Sequence, residues 1–148
     1  MLTPMLTAYP RTSRTGVLPL GSDFPVEGIN PLLGFYAAVS RLSVSGDSPH
    51  GSQGWYVPII YSRWSLGVNP VRARYASERL TRAQALKGMT LDAAYAAFAE
   101  DKLGSLTIGK QADFVVLDRD IMSVPVSEIL ETKVRATVID GEVVYGKL

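Results

Sequence analysis

The chain has 148 residues, of which 47% are hydrophobic and 20% charged, with a net charge of +1, which is the composition of one soluble globular domain. Cysteine is absent, which excludes disulfides and thiolate metal sites and fits a cytoplasmic protein. There is no run of like charges, no apolar stretch of about 18 residues and no signal-peptide pattern, so we expect no nucleic-acid partner, no membrane and no secretion.

The first predicted element is a strand over Val17 to Leu20, a run without polar alternation that is typical of a strand buried on both faces of a parallel sheet. Pro19 weakens this interpretation because a central strand would lose a ladder hydrogen bond there. The segment Gly21-Ser22-Asp23-Phe24-Pro25 places one carboxylate directly after the strand. Asn30 then predicts a helix N-cap, with Pro31 at the first helical position. Strand, turn and helix form one βα unit.

A stretch rich in Gly, Ser, Pro and aromatic residues runs from Ser43 to Ser77. A loop of this length inside a compact domain is functional or disordered, and its aromatic content argues against full disorder. His50, between Pro49 and Gly51, is interpreted as a solvated loop residue. The aromatic side chains either cover a pocket as a possible substrate loop or simply pack onto the neighbouring fold; they are Trp55, Tyr56, Tyr61 and Trp64.

Two consecutive helices are predicted after this loop. Thr81 and Gln84 form a capping-box pattern at the start of the first helix. Gly88 can end that helix, and Thr90 can cap a second one that reaches Phe98. The many alanines of the second helix would let it lie close to a neighbour.

Two strand pairs separated by turns are predicted in the last 45 residues. Asp140-Gly141 between β-branched runs is the strongest short-range hairpin signal in the chain. Gly109-Lys110 is the predicted turn of the other pair, and Asp113 is expected to brace it. Between the pairs, Val126 to Leu130 predicts a helical turn. The sheet would be antiparallel, with strands at Leu106 to Ile108, Asp113 to Leu117, Ala136 to Ile139 and Glu142 to Tyr145.

Five short motifs, each weak alone, occur in an order that carries a family resemblance. They are Gly21 to Val26, the helix end Ala37 to Arg41, the helical pair Leu80 to Phe98, the segment Gly104 to Phe114, and Val138 to Gly141. Together they resemble the C-terminal end of amidohydrolase-superfamily proteins, and most closely those of amidohydrolase family 3. The match is good over residues 16–42 and 80–147, vague over 43–77 and faint before 16.

The resemblance implies an α/β fold that is the C-terminal fragment of a metal-dependent (β/α)8 TIM barrel, together with strands of its companion β-sandwich. Residues 1–103 would be the terminal βα portion of the barrel, with the long loop at 43–77. Residues 104–148 would be antiparallel strands of the sandwich.

The resemblance also implies a chemistry. In such enzymes one or two divalent metals, commonly zinc, lower the pKa of a bound water toward about 7. Asp23 would be a metal ligand and the catalytic group that takes a proton from this water and returns it to the leaving nitrogen. Acid–base catalysis of this kind contributes roughly 10² to 10⁴ in rate. The substrate would be a small amide or related molecule, hydrolysed at a C–N bond other than a peptide bond.

We expect this chain to be incomplete as an enzyme. Catalytic zinc needs about three protein ligands, and a whole barrel needs about 250 residues. The other metal ligands of the family would lie on barrel strands outside this chain, so we expect no metal to be bound by the chain alone.

Alternatives that need no catalysis remain open. The chain could be a structural or interaction module that pairs with a missing barrel segment, with another chain or with itself, because an unpaired strand would leave backbone groups unsatisfied. Asp23 could serve only in an Asx-turn or as a helix cap. Arg41 could line a site or merely complement the helix dipole.

Overall fold

The computed structural model describes residues 16–47 and 79–148. Helices occupy the first part of these ranges, and a small sheet occupies the last part. In chain order the elements are helix α1 (Pro31–Ser40), helix α2 (Arg82–Met89), helix α3 (Leu91–Ala96), strand β1 (Phe114–Leu117), a 3₁₀ helix (Val126–Glu131), strand β2 (Val134–Ile139) and strand β3 (Glu142–Gly146).

Helix α1 begins where the sequence predicts. The side chain of Asn30 accepts a hydrogen bond from the Leu32 amide at 3.0 Å, and Pro31 takes the first helical position, where its missing N–H costs nothing. The helix ends at Ser40 because Arg41 adopts a left-handed conformation with φ 57°. The Arg41 amide still donates to the Ala37 carbonyl at 2.8 Å, which closes the helix end.

Helix α2 begins with the predicted capping box. The Thr81 hydroxyl accepts from the Gln84 amide at 3.2 Å, and the Gln84 side chain accepts from the Thr81 amide at 2.9 Å. The predicted helix end at Gly88 is wrong, because α2 continues to Met89.

Helix α3 is shorter than predicted. Thr90 precedes it, but the Thr90 hydroxyl donates back to the Leu86 carbonyl at 2.7 Å instead of capping the new helix. The helix ends at Ala96. Phe98, predicted on its apolar face, lies beyond the helix with φ 56°, and its side chain is 94% exposed.

The three strands form one antiparallel sheet in the order β1-β2-β3. Ile139 pairs with Glu142, which leaves Asp140-Gly141 as a two-residue turn. Both turn residues have positive φ, 52° and 83°, as a type I′ turn requires. The hairpin predicted at Asp140-Gly141 is therefore confirmed.

The hairpin predicted at Gly109-Lys110 is wrong. Leu106 to Ile108 form no strand; Ile108 is fully exposed, so no partner buries its side chain. The Lys110 ammonium instead donates to the carbonyls of Leu103, at 3.1 Å, and Glu100. These bonds hold the loop against the segment that follows α3. Among residues 16–47 and 79–148, the strand paired with β1 is β2.

Asp113 braces a different turn from the one expected. Its carboxylate accepts a hydrogen bond from the Asp140 amide at 2.7 Å. Since Asp140 begins the β2–β3 turn, Asp113 links the entrance of β1 to that hairpin, not to Gly109-Lys110.

The hydrophobic core lies between the helices and the 3₁₀ helix. Helix α1 packs against α2 and against the 3₁₀ helix, and its Phe35 side chain is 1% exposed. Ile121 and Ile129 belong to the same buried cluster as Phe35 and Ala85. The core therefore draws on residues from both sides of the expected 103/104 boundary.

A polar loop after β1 ties the sheet to helix α2. The Arg82 guanidinium donates to the carbonyls of Ile121 and Val124. In the same loop, hydrogen bonds from the Ser123 hydroxyl and the Met122 amide lower the pKa of the Asp120 carboxyl below its ordinary value.

The expected strand at Val17 to Leu20 is wrong. The segment forms no strand; the amides of Leu18 and Leu20 donate instead to groups of α3 and α2. Among residues 16–47 and 79–148, the helices all lack the length and continuous apolar sequence needed to cross a bilayer.

Candidate functional site

Asp23 lies at the surface on a tight turn between the segment 16–20 and helix α1. The Val26 amide donates to the Asp23 carbonyl at 2.9 Å, and the Glu27 amide donates to the Ser22 carbonyl at 3.2 Å. Asp23 has φ 48°, a left-handed conformation that aspartate tolerates better than most residues. The peptide bond between Phe24 and Pro25 is cis. The turn thus presents the Asp23 side chain to solvent.

The segment before this turn is fixed to the end of α2 and the start of α3. The Leu20 amide donates to the Gly88 carbonyl at 2.9 Å. The Leu18 amide donates to the Asp92 carboxylate, also at 2.9 Å. Pro19 has no backbone N–H, so it needs no hydrogen-bond acceptor here. The expectation of unsatisfied backbone groups is therefore wrong for the amides of Leu18 and Leu20.

Asp92 and Lys87 form an ion pair beneath the segment. The Asp92 side chain is 4% exposed and contacts the ammonium of Lys87, whose side chain is 45% exposed. The same ammonium donates to the Gly16 carbonyl at 3.1 Å. Since buried carboxylates are expensive without partners, the two Asp92 oxygens are satisfied by a charged donor and a backbone donor.

Gly88 allows the segment to approach α2 closely. A Cβ atom at this position would lie 2.7 Å from the Leu18 carbonyl oxygen and 2.8 Å from Cγ of Leu20. Both distances are shorter than real side-chain contacts. Only a residue without a side chain fits here.

The remaining sequence-predicted site residues are not brought to Asp23 by the described structure. His50 and the four aromatic residues of the possible substrate loop lie outside the described residues, so those predictions stay predictions; the four are Trp55, Tyr56, Tyr61 and Trp64. Arg41 lies at the far end of α1 from the Asp23 turn.

Residues 16–47 and 79–148 do not fit a resident metal ion by themselves. They contain no group of three or more His, Asp or Glu side chains close enough to hold one, whereas catalytic zinc takes about three protein ligands. Asp23 alone supplies one carboxylate, so no step through a metal follows from the described residues.

Sequence reasoning missed Lys87 and Asp92. The signal available was spacing: Ala85, Gly88 and Asp92 recur at i, i+3 and i+7, the spacing of one helix face, and all three are buried. A carboxylate on that face needs a cation or an N–H group. The break between α2 and α3 at Thr90 obscured the pattern.

Comparison with known proteins agrees with the resemblance seen in the motifs. A sequence model described as "Amidohydrolase family" matches residues 2–145. The chain belongs to the amidohydrolase family. No solved structure matches it significantly.

Three relatives from this comparison illustrate the likeness. Protein LONG AFTER FAR-RED 3 of Arabidopsis thaliana is 35% identical over 129 residues, which cover 87% of this chain and 18% of the relative. A putative amidohydrolase, YtcJ, of Bacillus subtilis is 30% identical over 127 residues, or 86% of the chain and 20% of the relative. An imidazolonepropionase of Shewanella baltica is 60% identical over 40 residues, or 27% of the chain and 10% of the relative. The chain spans about a fifth of the length of the first two relatives.

Proposed function

We propose that this chain is part of a hydrolase that acts on C–N bonds other than peptide bonds, and that Asp23 is its acid–base residue. The observation that carries the proposal is the placement of Asp23. Its carboxylate is exposed on a short hydrogen-bonded turn, in a chain that belongs to the amidohydrolase family. An exposed carboxylate on a fixed turn can meet a small amide-like substrate and a water molecule.

The proposed role of Asp23 follows from the chemistry of amide hydrolysis. A water oxygen forms a bond to the substrate carbon while its proton passes to the Asp23 carboxylate. The C–N bond then breaks, and the same proton passes to the departing nitrogen, which leaves as an amine. One carboxylate can serve as base and then as acid because it returns to its starting charge. Catalysis of this kind contributes roughly 10² to 10⁴ in rate.

The architecture completes the proposal. Residues 1–103 would form the terminal βα portion of a TIM barrel, and residues 104–148 would belong to its companion β-sandwich. Divalent metal, in particular zinc, would be held mainly by groups outside the described residues. In this arrangement the extended segment 16–20 would gain strand neighbours, and the chain would be inactive without the rest of the barrel.

The test is the substitution Asp23→Asn in a full-length or reconstituted enzyme that contains the rest of the barrel, measured on a panel of small amides, cyclic amides and N-acyl compounds with and without added zinc. We expect turnover to fall by about 10² to 10⁴ with an unchanged melting temperature, because Asp23 is exposed and its side chain is not part of the core. Asp47→Asn is the matched control, since Asp47 is also an exposed carboxylate on a turn. Retained turnover in Asp23→Asn would remove this residue from the mechanism.

A second candidate function is an interaction module without catalysis. The observation in its favour is the apolar character of the same turn: Phe24 is 63% exposed, Val26 68% and Ile29 78%. Exposed apolar side chains close together are typical of surfaces that another chain covers. Reconstitution with the rest of the barrel distinguishes the candidates: a folded, self-associating chain that gains neither bound metal nor turnover in this preparation would favour the module, with sedimentation reporting the association and elemental analysis the metal.

A further inference from the structure

We propose that Lys87 and Asp92 are positioning residues for Asp23. Together they hold the segment 16–20 against α2 and α3, and through it they set the place of the turn that carries Asp23. The effect of this positioning on catalysis rests on the function proposed above, whereas its effect on the place of the Asp23 turn does not.

The ion pair also binds the backbone of the segment 16–20. One Asp92 oxygen contacts the Lys87 ammonium, and the other accepts from the Leu18 amide at 2.9 Å. The Asp92 side chain is 4% exposed, so water cannot replace either partner at low cost. The carboxylate therefore joins a helix residue to the extended segment.

The segment 16–20 is held to the helices at three alternate residues. Gly16 accepts from the Lys87 ammonium at 3.1 Å, Leu18 donates to Asp92, and Leu20 donates to the Gly88 carbonyl at 2.9 Å. Two of these contacts involve charged side chains, and the third involves a backbone carbonyl near the end of α2.

The three contacts of Gly16, Leu18 and Leu20 with α2 and α3, here called the clamp, lie close to Asp23 in sequence. Two residues lie between Leu20 and Asp23, and the turn beyond is closed by hydrogen bonds within residues 22–27. A slip of one residue along the clamp would move the chain by about 3.3 Å. Misplacement of a reacting group by about 1 Å can reduce a rate by roughly 10², so the clamp is close enough to matter for catalysis.

The ion pair contributes specificity more than apolar packing. Ala85 of α2 belongs to the buried hydrophobic cluster, whereas the Lys87 side chain is 45% exposed. A buried ion pair often stabilises a fold no better than apolar residues of the same size. The hydrogen bond from the Leu18 amide to the carboxylate, in contrast, favours one register of the segment along the helices over registers shifted by one residue.

The experiment uses the full chain and three variants. Asp92→Ala removes both contacts of the carboxylate. The double variant Lys87→Met with Asp92→Asn removes both charges but keeps an amide oxygen that can accept from the Leu18 amide. Asp101→Ala is the control, because Asp101 is an exposed acid just beyond α3. The readouts are hydrogen exchange at single amides and the NMR signals of the Asp23 amide and carboxyl carbon.

In Asp92→Ala we expect exchange at the Leu18 and Leu20 amides to accelerate by about 10- to 100-fold, which corresponds to the loss of a hydrogen bond to a charged group. The Asp23 signals should shift, while exchange at Thr137 in β2 stays within twofold. The double variant should restore most of the protection at Leu18, whereas the Gly16 signals should stay shifted because the contact with the Lys87 ammonium is lost, and Asp101→Ala should change nothing. Unchanged exchange at Leu18, or equal acceleration at Thr137, would overturn the proposal.

Turnover separates the positioning role from the proposed reaction. In a preparation that hydrolyses substrate, Asp92→Ala should lower kcat by tenfold or more, within the roughly 10² expected for a misplaced group, with KM almost unchanged, and the double variant should recover most of the loss. A loss confined to KM would overturn the catalytic consequence. If the unaltered chain hydrolyses nothing even when the rest of the barrel is supplied, the proposed function fails, yet the exchange and Asp23 signals of the chain still decide whether Lys87 and Asp92 position the turn.

Discussion

The β2–β3 hairpin and the segment 16–20 are held in different ways. In the hairpin, Ile139 pairs with Glu142 across a two-residue turn, so its partners are neighbours in sequence. In the segment, the partner of the Leu18 amide is 74 residues away. The hairpin is specified by local sequence, whereas the segment depends on contacts that form only once distant helices are in place.

The largest expected effect comes from Gly88→Val, which would disrupt the contacts between the segment 16–20 and helix α2. The new side chain would collide with the Leu18 carbonyl, and overpacking of this kind costs about 1–3 kcal/mol. Denaturant unfolding should show the loss, and hydrogen exchange should show it concentrated at Leu18 and Leu20 with the hairpin preserved.

Gly34→Val is the matched control for this substitution. Gly34 also lies in a helix, but a Cβ atom there would meet nothing within 4 Å, so the change should stay within about 0.5 kcal/mol. Equal destabilisation by both variants would show that helix propensity, not the close approach of the segment, explains the result.

Gly141→Val tests the β2–β3 hairpin, which is specified by local sequence. Gly141 has φ 83°, and there is room for a side chain, since the nearest atom to its Cβ would be 4.0 Å away. The expected cost of about 1–2 kcal/mol is therefore purely that of a left-handed backbone. It should appear as a lower melting temperature and faster exchange in β2 and β3.

Gly141→Asn provides the comparison for that loss, because asparagine tolerates positive φ and should recover most of the stability. A melting temperature unaltered by Gly141→Val would contradict the type I′ assignment of the turn.

The smallest expected effect is that of Asp113→Ala. It removes the hydrogen bond from the Asp140 amide, a loss of about 0.5–1.5 kcal/mol. The change should be seen in the thermal midpoint and in exchange at Asp140. Asp113→Asn keeps an accepting oxygen and should retain most of the stability; if the two variants behave alike, Asp113 does not brace the hairpin.

Features that depend on a few neighbouring residues could be predicted from the sequence. The Asn30 cap, the Thr81–Gln84 capping box and the Asp140-Gly141 turn are all present. Gly109-Lys110 failed as a hairpin because turn residues alone do not supply a second strand. The Lys110 ammonium instead donates hydrogen bonds to the backbone carbonyls of Leu103 and Glu100.

The candidate site was predictable only in part. The position of Asp23 after an extended segment could be read from the chain, since it needs only the order of residues. Its support could not, because Lys87 and Asp92 meet Gly16 and Leu18 only through the packing of α2 and α3. The strand expected at Val17 to Leu20 failed for the same reason: extended sequence does not say whether a strand or a helix end will be its neighbour.

The hydrogen bond between Leu18 and Asp92 also imposes an order of events during synthesis. Residues 16–23 leave the ribosome well before residue 92 has been added, and translation proceeds at about 5–20 residues per second. The turn that carries Asp23 must therefore wait several seconds for the carboxylate that anchors it. During that interval the segment lacks this hydrogen bond, because residue 92 has not yet been synthesised.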